Sequence, residues 1–405
     1  MFDLIFAGSP AVDHPIAEPQ GLPPVLAQRL RQAPLIALEK TFQAARDHQA
    51  CGLVLCGSIL DSLRASPAQV VALRGLILQA SAHGCETIWV TTDSTSPREI
   101  LRMLGEPTGL AFATPLTPWT TTIRSATVEL WAVADAEDAK RATATDPGTP
   151  LHRRLLVGDG FMATSRPVEQ VLLPEAINRP DTLAVWATAT ATPLPSSVLR
   201  LPQLQPRSRA ATGSGAYGLT LYRPPSAAPE SPAADTAELP LVSGWQPLAT
   251  EQVRWRTIQI ESAEGDQETL AEELWNILKP AASSSATPAA TDQTSEPLTL
   301  VDCQIACGTS VDRRIEVGGL AAEATRRLRE RCAAAAPMLW CERIVAAADE
   351  SLAPLGHSRS GGQPGSSNSF TSALADIVTE QETIDGSDPL SREAAWLALE
   401  LLEAD

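Results

Sequence analysis

The first third of the chain alternates between short continuous apolar runs and longer stretches in which apolar residues recur every three or four positions. Residues 3–8, DLIFAG, make the first run, a buried strand ending at a glycine turn. A helix is predicted over 34–47, with Pro34 in its first turn and Leu35, Leu38, Phe42 and Ala45 on one face. GLVLCG, 52–57, is the second strand. Ser66 then caps a helix that has Pro67 just inside it and Val70, Leu73, Ile77 and Ala80 as its stripe. ETIWVTTD, 86–93, is the third strand. This alternation predicts βαβ crossovers and a mainly parallel sheet, whose ligand sites lie beyond the carboxyl ends of the strands. Residues 9–13, 58–61 and 92–95 stand at those ends.

The pattern then changes. Strands are predicted at 110–114, 126–134, 153–158, 182–189 and 217–223, enough for a second sheet packed on the first. A Pro/Ala/Ser stretch, 224–236, leads to a new unit with a strand at 253–261 and a helix carrying Leu270, Leu274 and Ile277. Residues 280–297 have no apolar period and read as a flexible insertion. LTLVDCQIACG, a helix over 319–332 and MLWCERIV complete a small α+β unit. GHSRSGGQPGSSNS, 356–369, reads as disordered. A last helix, 388–403, has Leu390, Ala394, Leu397 and Leu401 along one face, to dock either on its own protein or on a partner.

Composition narrows the function classes. The net charge of -17 opposes a polyanion, and the short basic stretches LHRRLL and ATRRLRERC read as a strand flank and a helix face. Aromatics at 4% are too few for an extended base-stacking surface. Seven cysteines, odd in number and without staple-like spacing, fit a reducing compartment, and Cys303 and Cys307 are poorly spaced for a metal clip. The start MFDLIFAGSP lacks the basic region of a signal peptide, and no apolar run is long enough to span a bilayer, so the expected location is the cytoplasm.

Five motifs carry a resemblance. AGSPAVDHPI follows the first strand, CGSILD the second and VTTDST the third; LLVGDGF and DTLAVWATATA come later, with GSGAYGLTLY and VRW (253–255) after them. Together they resemble the calcineurin-like metallophosphoesterases, and more narrowly the nuclease subunit of bacterial double-strand-break repair complexes. The resemblance spans nearly the whole chain. It implies an α+β fold, a four-layer α/β/β/α sandwich of two packed mixed sheets, with a small α+β accessory domain. The implied organisation is a phosphoesterase-like domain at 1–223, a linker at 224–245 and an accessory unit at 246–350. A second linker at 351–369 and a C-terminal helical segment at 370–405 follow.

The family holds two Mn or Mg ions, and here the ligand positions have failed together. Its Asp-x-His pair falls on Ser9 and Ala11, and the ligand Asp of its Gly-Asp falls on Ser58, while Gly57 and the motif's further Asp, Asp61, survive. The Gly-Asn-His-Asp motif becomes Thr92, Asp93, Ser94 and Thr95, with Ser94 where the leaving-group histidine belongs. A later histidine falls on Gly158 or Asp159, and Gly-His-x-His becomes Trp186, Ala187, Thr188 and Ala189. The five histidines (His14, His48, His83, His152 and His357) form no paired ligand motif. A two-metal phosphoesterase needs carboxylates and imidazoles to hold its cations and raise a bridging water's nucleophilicity, and Ser and Ala supply neither. Asp13, Asp61, Asp93 and Asp159 remain as an oxygen-rich alternative for one cation. Ser58 lacks the glycine that a hydrolase elbow needs after the nucleophile.

The sequence therefore predicts a catalytically degenerate homologue without a cofactor, acting as a scaffold or binding subunit. The implied partner is a coiled-coil ATPase docked through the C-terminal portion, with DNA contact left mainly to that partner; a homodimer is a further arrangement and no membrane is involved. The alternatives are a divergent metal-dependent phosphoesterase using those four aspartates and a structural protein unconnected with DNA.

Overall fold

A computed structural model describes residues 1–61, 63–91, 97–123, 126–144, 152–159, 181–188, 197–207, 215–222, 242–260, 267–283, 297–305, 319–335 and 338–346, with isolated positions between 171 and 194. Three β-α crossovers open it: β1 (Leu4–Gly8), α1 (Pro24–Asp47), β2 (Gly52–Cys56), α2 (Pro67–Ala82), β3 (Glu86–Val90), α3 (Pro97–Leu104) and β4 (Leu110–Ala113). Strands β1 to β4 pair in parallel, in that order. Such strands are covered on both faces and so read as continuous apolar runs. Ile5 and Ala7 join the core under α1–α3, whereas Leu4 and Phe6 face the opposite layer.

That opposite layer is a second sheet. It contains β5 (Trp119–Ile123), β6 (Ala126–Val133), β7 (His152–Asp159), β8 (Thr182–Ala187) and β9 (Val198–Leu201), parallel except for the β5–β6 pair. Helix α4 (Ala136–Ala144) follows β6, and its Ala139 and Ala142 pack on the sheet's outer face with Trp131 and Trp186. β10 (Ala216–Tyr222) returns to the first sheet, antiparallel to β1, and β11 (Val242–Pro247) pairs with it. Two mixed sheets face to face between helices make a four-layer α/β/β/α sandwich, the architecture expected from the sequence. Residues 242–245, read as linker, are a sheet strand instead.

The accessory unit is a parallel sheet of β12 (Val253–Ile260), β13 (Leu298–Ile305) and β14 (Leu339–Ala346). Helices α5 (Gln267–Ser283) and α6 (Leu320–Ala335) cover one face. Its other face meets the first half of α1: Leu30 and Ala33 are buried with Val253, Leu298, Leu300 and Trp340. This contact explains where α1 begins. The helix expected over 34–47 begins at Pro24 and runs through Pro34, although an interior proline costs a helix about 3 kcal/mol. Burial of Leu30 and Ala33 offsets that cost. The insertion expected at 280–297 is helical as far as Ser283.

α2 starts as the sequence predicts. Ser66 and Gln69 form a reciprocal capping box, and the Gln69 Nε2 also donates to the Val12 carbonyl at 2.8 Å. The cap thus fixes the loop after β1 as well as the helix. Ser66→Ala should lower stability by about 1 kcal/mol, read as a lower urea midpoint at unchanged slope. The linkers at 224–236 and 356–369 and the helix at 388–403 lie outside the described residues. No helix among the described residues is long and apolar enough to cross a membrane.

Candidate functional site

The loop after β1 does not leave the sheet at once. It runs beside the chain after β2, continuing the parallel pairing: Ser9 N–H donates to Cys56 O at 2.6 Å, Ala11 N–H to Ser58 O at 2.9 Å and Val12 N–H to Ile59 O at 3.1 Å. Ser9 and Ala11 hold positive φ angles of 33° and 41°, and Gly57 turns the neighbouring chain with φ 76°. A side chain with a Cβ is disfavoured in that region, so the first two positions are strained. They are also sealed: Ser9 and Ala11 are each 2% exposed. The Ser9 hydroxyl donates to the Ser58 carbonyl at 3.3 Å.

From the second sheet, the end of β9 closes the mouth. A Cβ on Gly8 would stand 2.1 Å from the Pro202 carbonyl oxygen, so only glycine admits this approach. Thr188 N–H donates to Leu201 O at 3.0 Å, and Leu204 N–H to Gly8 O at 2.5 Å. Ala187 faces the layer between the sheets, fully buried. Trp186 points the other way and lies against Gly158, where a Cβ would meet the indole at 2.3 Å.

The segment 202–207 thus lies across the carboxyl ends of the first sheet. Leu204 is buried in the core under the helices. The Gln205 amide accepts from Gln252 N–H at 2.7 Å and Val253 N–H at 3.2 Å, and donates to Val253 O at 2.9 Å, tying the segment to β12. Arg207 then reaches back into the loop after β1. Its guanidinium donates to the carbonyls of His14, Pro10 and Ala11. Burial lowers its pKa to about 10, while the Asp13 carboxylate opposes that shift.

Three candidate ligands do converge nearby. Asp13, His14 and Asp61 each place one ligand atom within 4.8 Å of the other two. Asp13 Oδ2 accepts from the Asp61 amide at 3.1 Å and lies 3.8 Å from His14 Nε2. Arg64 stands over the group, its Nη1 3.2 Å from His14 Nε2 and its Nε 3.7 Å from Asp61 Oδ2.

Of the four aspartates proposed as a set, Asp13 and Asp61 are brought together. Asp159 ends β7, its backbone opposite Ala187, and Asp93, like Ser94 and Ala189, lies outside the described residues. His14 belongs to no paired motif in the sequence, and no motif or period marks Arg207.

These residues do not fit the family's two-ion centre. Ser9, Ala11, Ser58 and Ala187 offer no carboxylate or imidazole, and Pro202 and Leu201 occupy the approach to β1. Among the described thiols, burial pushes Cys85 and Cys332 up to about 12, away from the thiolate form a nucleophile needs. Two concavities lie elsewhere: one of about 390 Å³ between α1 and α2, lined by Lys40, Arg46 and Gln79, and one of about 500 Å³ beside Asp3 and Cys51. The fold and the incomplete cluster are consistent with a degenerate calcineurin-like phosphoesterase. Comparison with protein-family models and with curated proteins finds no match to this chain.

Proposed function

We propose that the chain is a catalytically silent homologue of the exonuclease subunit of double-strand-break repair complexes, acting as a scaffold or binding subunit. The observation that carries this reading is the packed mouth. Where the family binds metal and phosphodiester, Gly8 meets Pro202, and Ser9, Ala11 and Ala187 are buried without charge. A substrate phosphate would meet closely packed neutral groups there. The partner in this reading is a coiled-coil ATPase engaged by the segment at 370–405, and DNA contact belongs mainly to that partner, in keeping with the chain's net charge of -17.

The test joins activity to assembly. Purified chain with Mn²⁺ and linear duplex DNA should release no nucleotide above a protein-free control. Affinity capture of the full chain should recover an ATPase with long heptad-repeat segments, and truncation after residue 369 should abolish the recovery. Metal-dependent nucleotide release would sink the silent reading, and capture unaffected by the truncation would sink the docking assignment.

The second reading, a divergent phosphoesterase, rests on the convergence of Asp13, His14 and Asp61. It requires Mn²⁺-dependent hydrolysis of bis(p-nitrophenyl) phosphate that is lost in His14→Gln.

A further inference from the structure

The cluster beyond β1 and β2 has a property that its hydrogen bonds leave unexplained. The Asp13 side chain is 0% exposed. Its Oδ2 accepts the Asp61 amide, but its Oδ1 is buried with no hydrogen-bond partner. The Arg207 guanidinium is near enough to act on this carboxylate, and its own Nε is likewise buried without a partner, but no described donor bonds Oδ1. A buried carboxylate oxygen without a bonded donor carries a desolvation cost that native proteins rarely leave standing. The group stands within ligand distance of an imidazole and a second carboxylate, and the His14 and Arg64 side chains are 37% and 66% exposed, which keeps the cluster open to solvent on that side.

We infer that Asp13, His14 and Asp61 form a site for one divalent transition-metal cation, which exchanges with the guanidinium of Arg64. None of the three stands at a position where the two-ion centre of the resembled family would have its ligands. The site lies further out along both loops. One imidazole nitrogen with two carboxylates suits Mn²⁺, Fe²⁺ or Zn²⁺ better than Mg²⁺ or Ca²⁺, which favour oxygen alone. Water completes the coordination on the exposed side.

Arg64 supplies the exchange. Its Nη1 occupies the lone pair of His14 Nε2, and its Nε adds positive charge beside Asp61 Oδ2. A bound cation requires both atoms, so metal and guanidinium exclude each other. Arg64 follows Asp61 by three residues, and its exposed side chain can leave without disturbing the core.

The occupied site would be structural. It would cross-link the loop after β1 to the loop after β2, while the packed mouth at Gly8 and Pro202 would stay closed.

The full chain is titrated with Mn²⁺ by calorimetry and followed by pulsed EPR; Mn²⁺ is the probe because the chain's seven cysteines would compete for Zn²⁺. One ion per chain is expected, with nitrogen hyperfine coupling from the imidazole. His14→Gln should weaken binding by at least the roughly tenfold that even an outer partner of a metal ligand contributes, and should remove the nitrogen coupling. Arg64→Gln should tighten binding several-fold by deleting the competing cation. Both substitutions lie on partly exposed side chains, so the test does not depend on a variant of buried Asp13 folding. Absence of Mn²⁺ binding to the parent chain overturns the site, as does equal affinity in the parent and both variants. Binding without phosphodiester hydrolysis supports the site and leaves the scaffold reading standing; absence of binding ends the site, and the divergent-phosphoesterase reading with it, but not the scaffold reading; hydrolysis by the parent chain ends the scaffold reading.

Discussion

Arg207→Ala is expected to destabilise the protein by about 3 kcal/mol, since a charged donor is withdrawn from several part-buried acceptors and each one left unsatisfied costs about 1–3 kcal/mol. The backbone carbonyls of Pro10 and His14 would lose this donor, and that of Ala11 would keep only the His14 N–H at 3.0 Å. The Asp13 carboxylate, 0% exposed, would lose its nearby buried countercharge. The strained turn at Ser9 and Ala11 would lose the contact that holds it, since positive φ persists only where surrounding structure imposes it. Chemical denaturation of the parent and variant measures the loss. Arg207→Lys should recover only part of it, because an ammonium cannot span three carbonyls as a planar guanidinium does. Millimolar guanidinium ion should shift the alanine variant's midpoint upward while leaving the parent unchanged. A stability loss below about 1 kcal/mol, the usual range of an exposed pair, would show that the guanidinium merely decorates the loop.

The role of Arg207 also shows where sequence reasoning stopped. The losses at positions 9, 11 and 58 were legible as lost ligands, but not the Arg207 guanidinium that holds the loop carrying the first two. That cation arrives from a segment, PQLQPR, with no period of helix or strand and no motif. Its function depends on Leu204 finding the helical core and on Gln205 clasping β12, contacts that no local pattern encodes. By contrast, β1, β2 and β3 were legible because strands buried on both faces are continuously apolar. β5, with WTTTI and only its two ends buried, has no such run. β11 lies among residues read as linker because its VSGWQP carries a glycine and a proline.

His14 could have been found. Parallel register pairs Leu4 with Gly52 and Gly8 with Cys56. Extending it beyond both strands sets Asp13 beside Asp61, and the bond between them has the same separation of 48 residues. An Asp-His dipeptide facing an Asp at constant register was therefore readable once the two strands were assigned. Arg64 was invisible, because its bearing on the site comes from a turn in which Arg64 N–H and Ala65 N–H both return to the Asp61 carbonyl.

Reinstating the family's first carboxylate should harm the protein rather than revive an activity. Ser9→Asp is expected to cost on the order of 3–5 kcal/mol and to yield no Mn²⁺-dependent hydrolysis. Ser9 is 2% exposed, its hydroxyl satisfied by the Ser58 carbonyl at 3.3 Å. That carbonyl accepts a hydroxyl but repels a carboxylate. The new charge would stand where the hydroxyl now meets the Ser58 carbonyl, with no donor freed to meet it. Desolvation would raise the new acid's pKa above its unfolded value, so its folded form would favour the proton. The sign of the pH dependence follows: the penalty is largest well above the folded pKa, shrinks as pH falls through it, and is smallest below the unfolded value, where both states are protonated. Ser9→Asn separates size from charge, because it adds the same bulk without ionising and should show a pH-independent loss. Denaturation midpoints of both variants across the acid range decide the matter. A Ser9→Asp chain as stable as the parent at neutral pH would mean that a cation or water already reaches the mouth, and the packed-mouth argument for a silent site would fall with it.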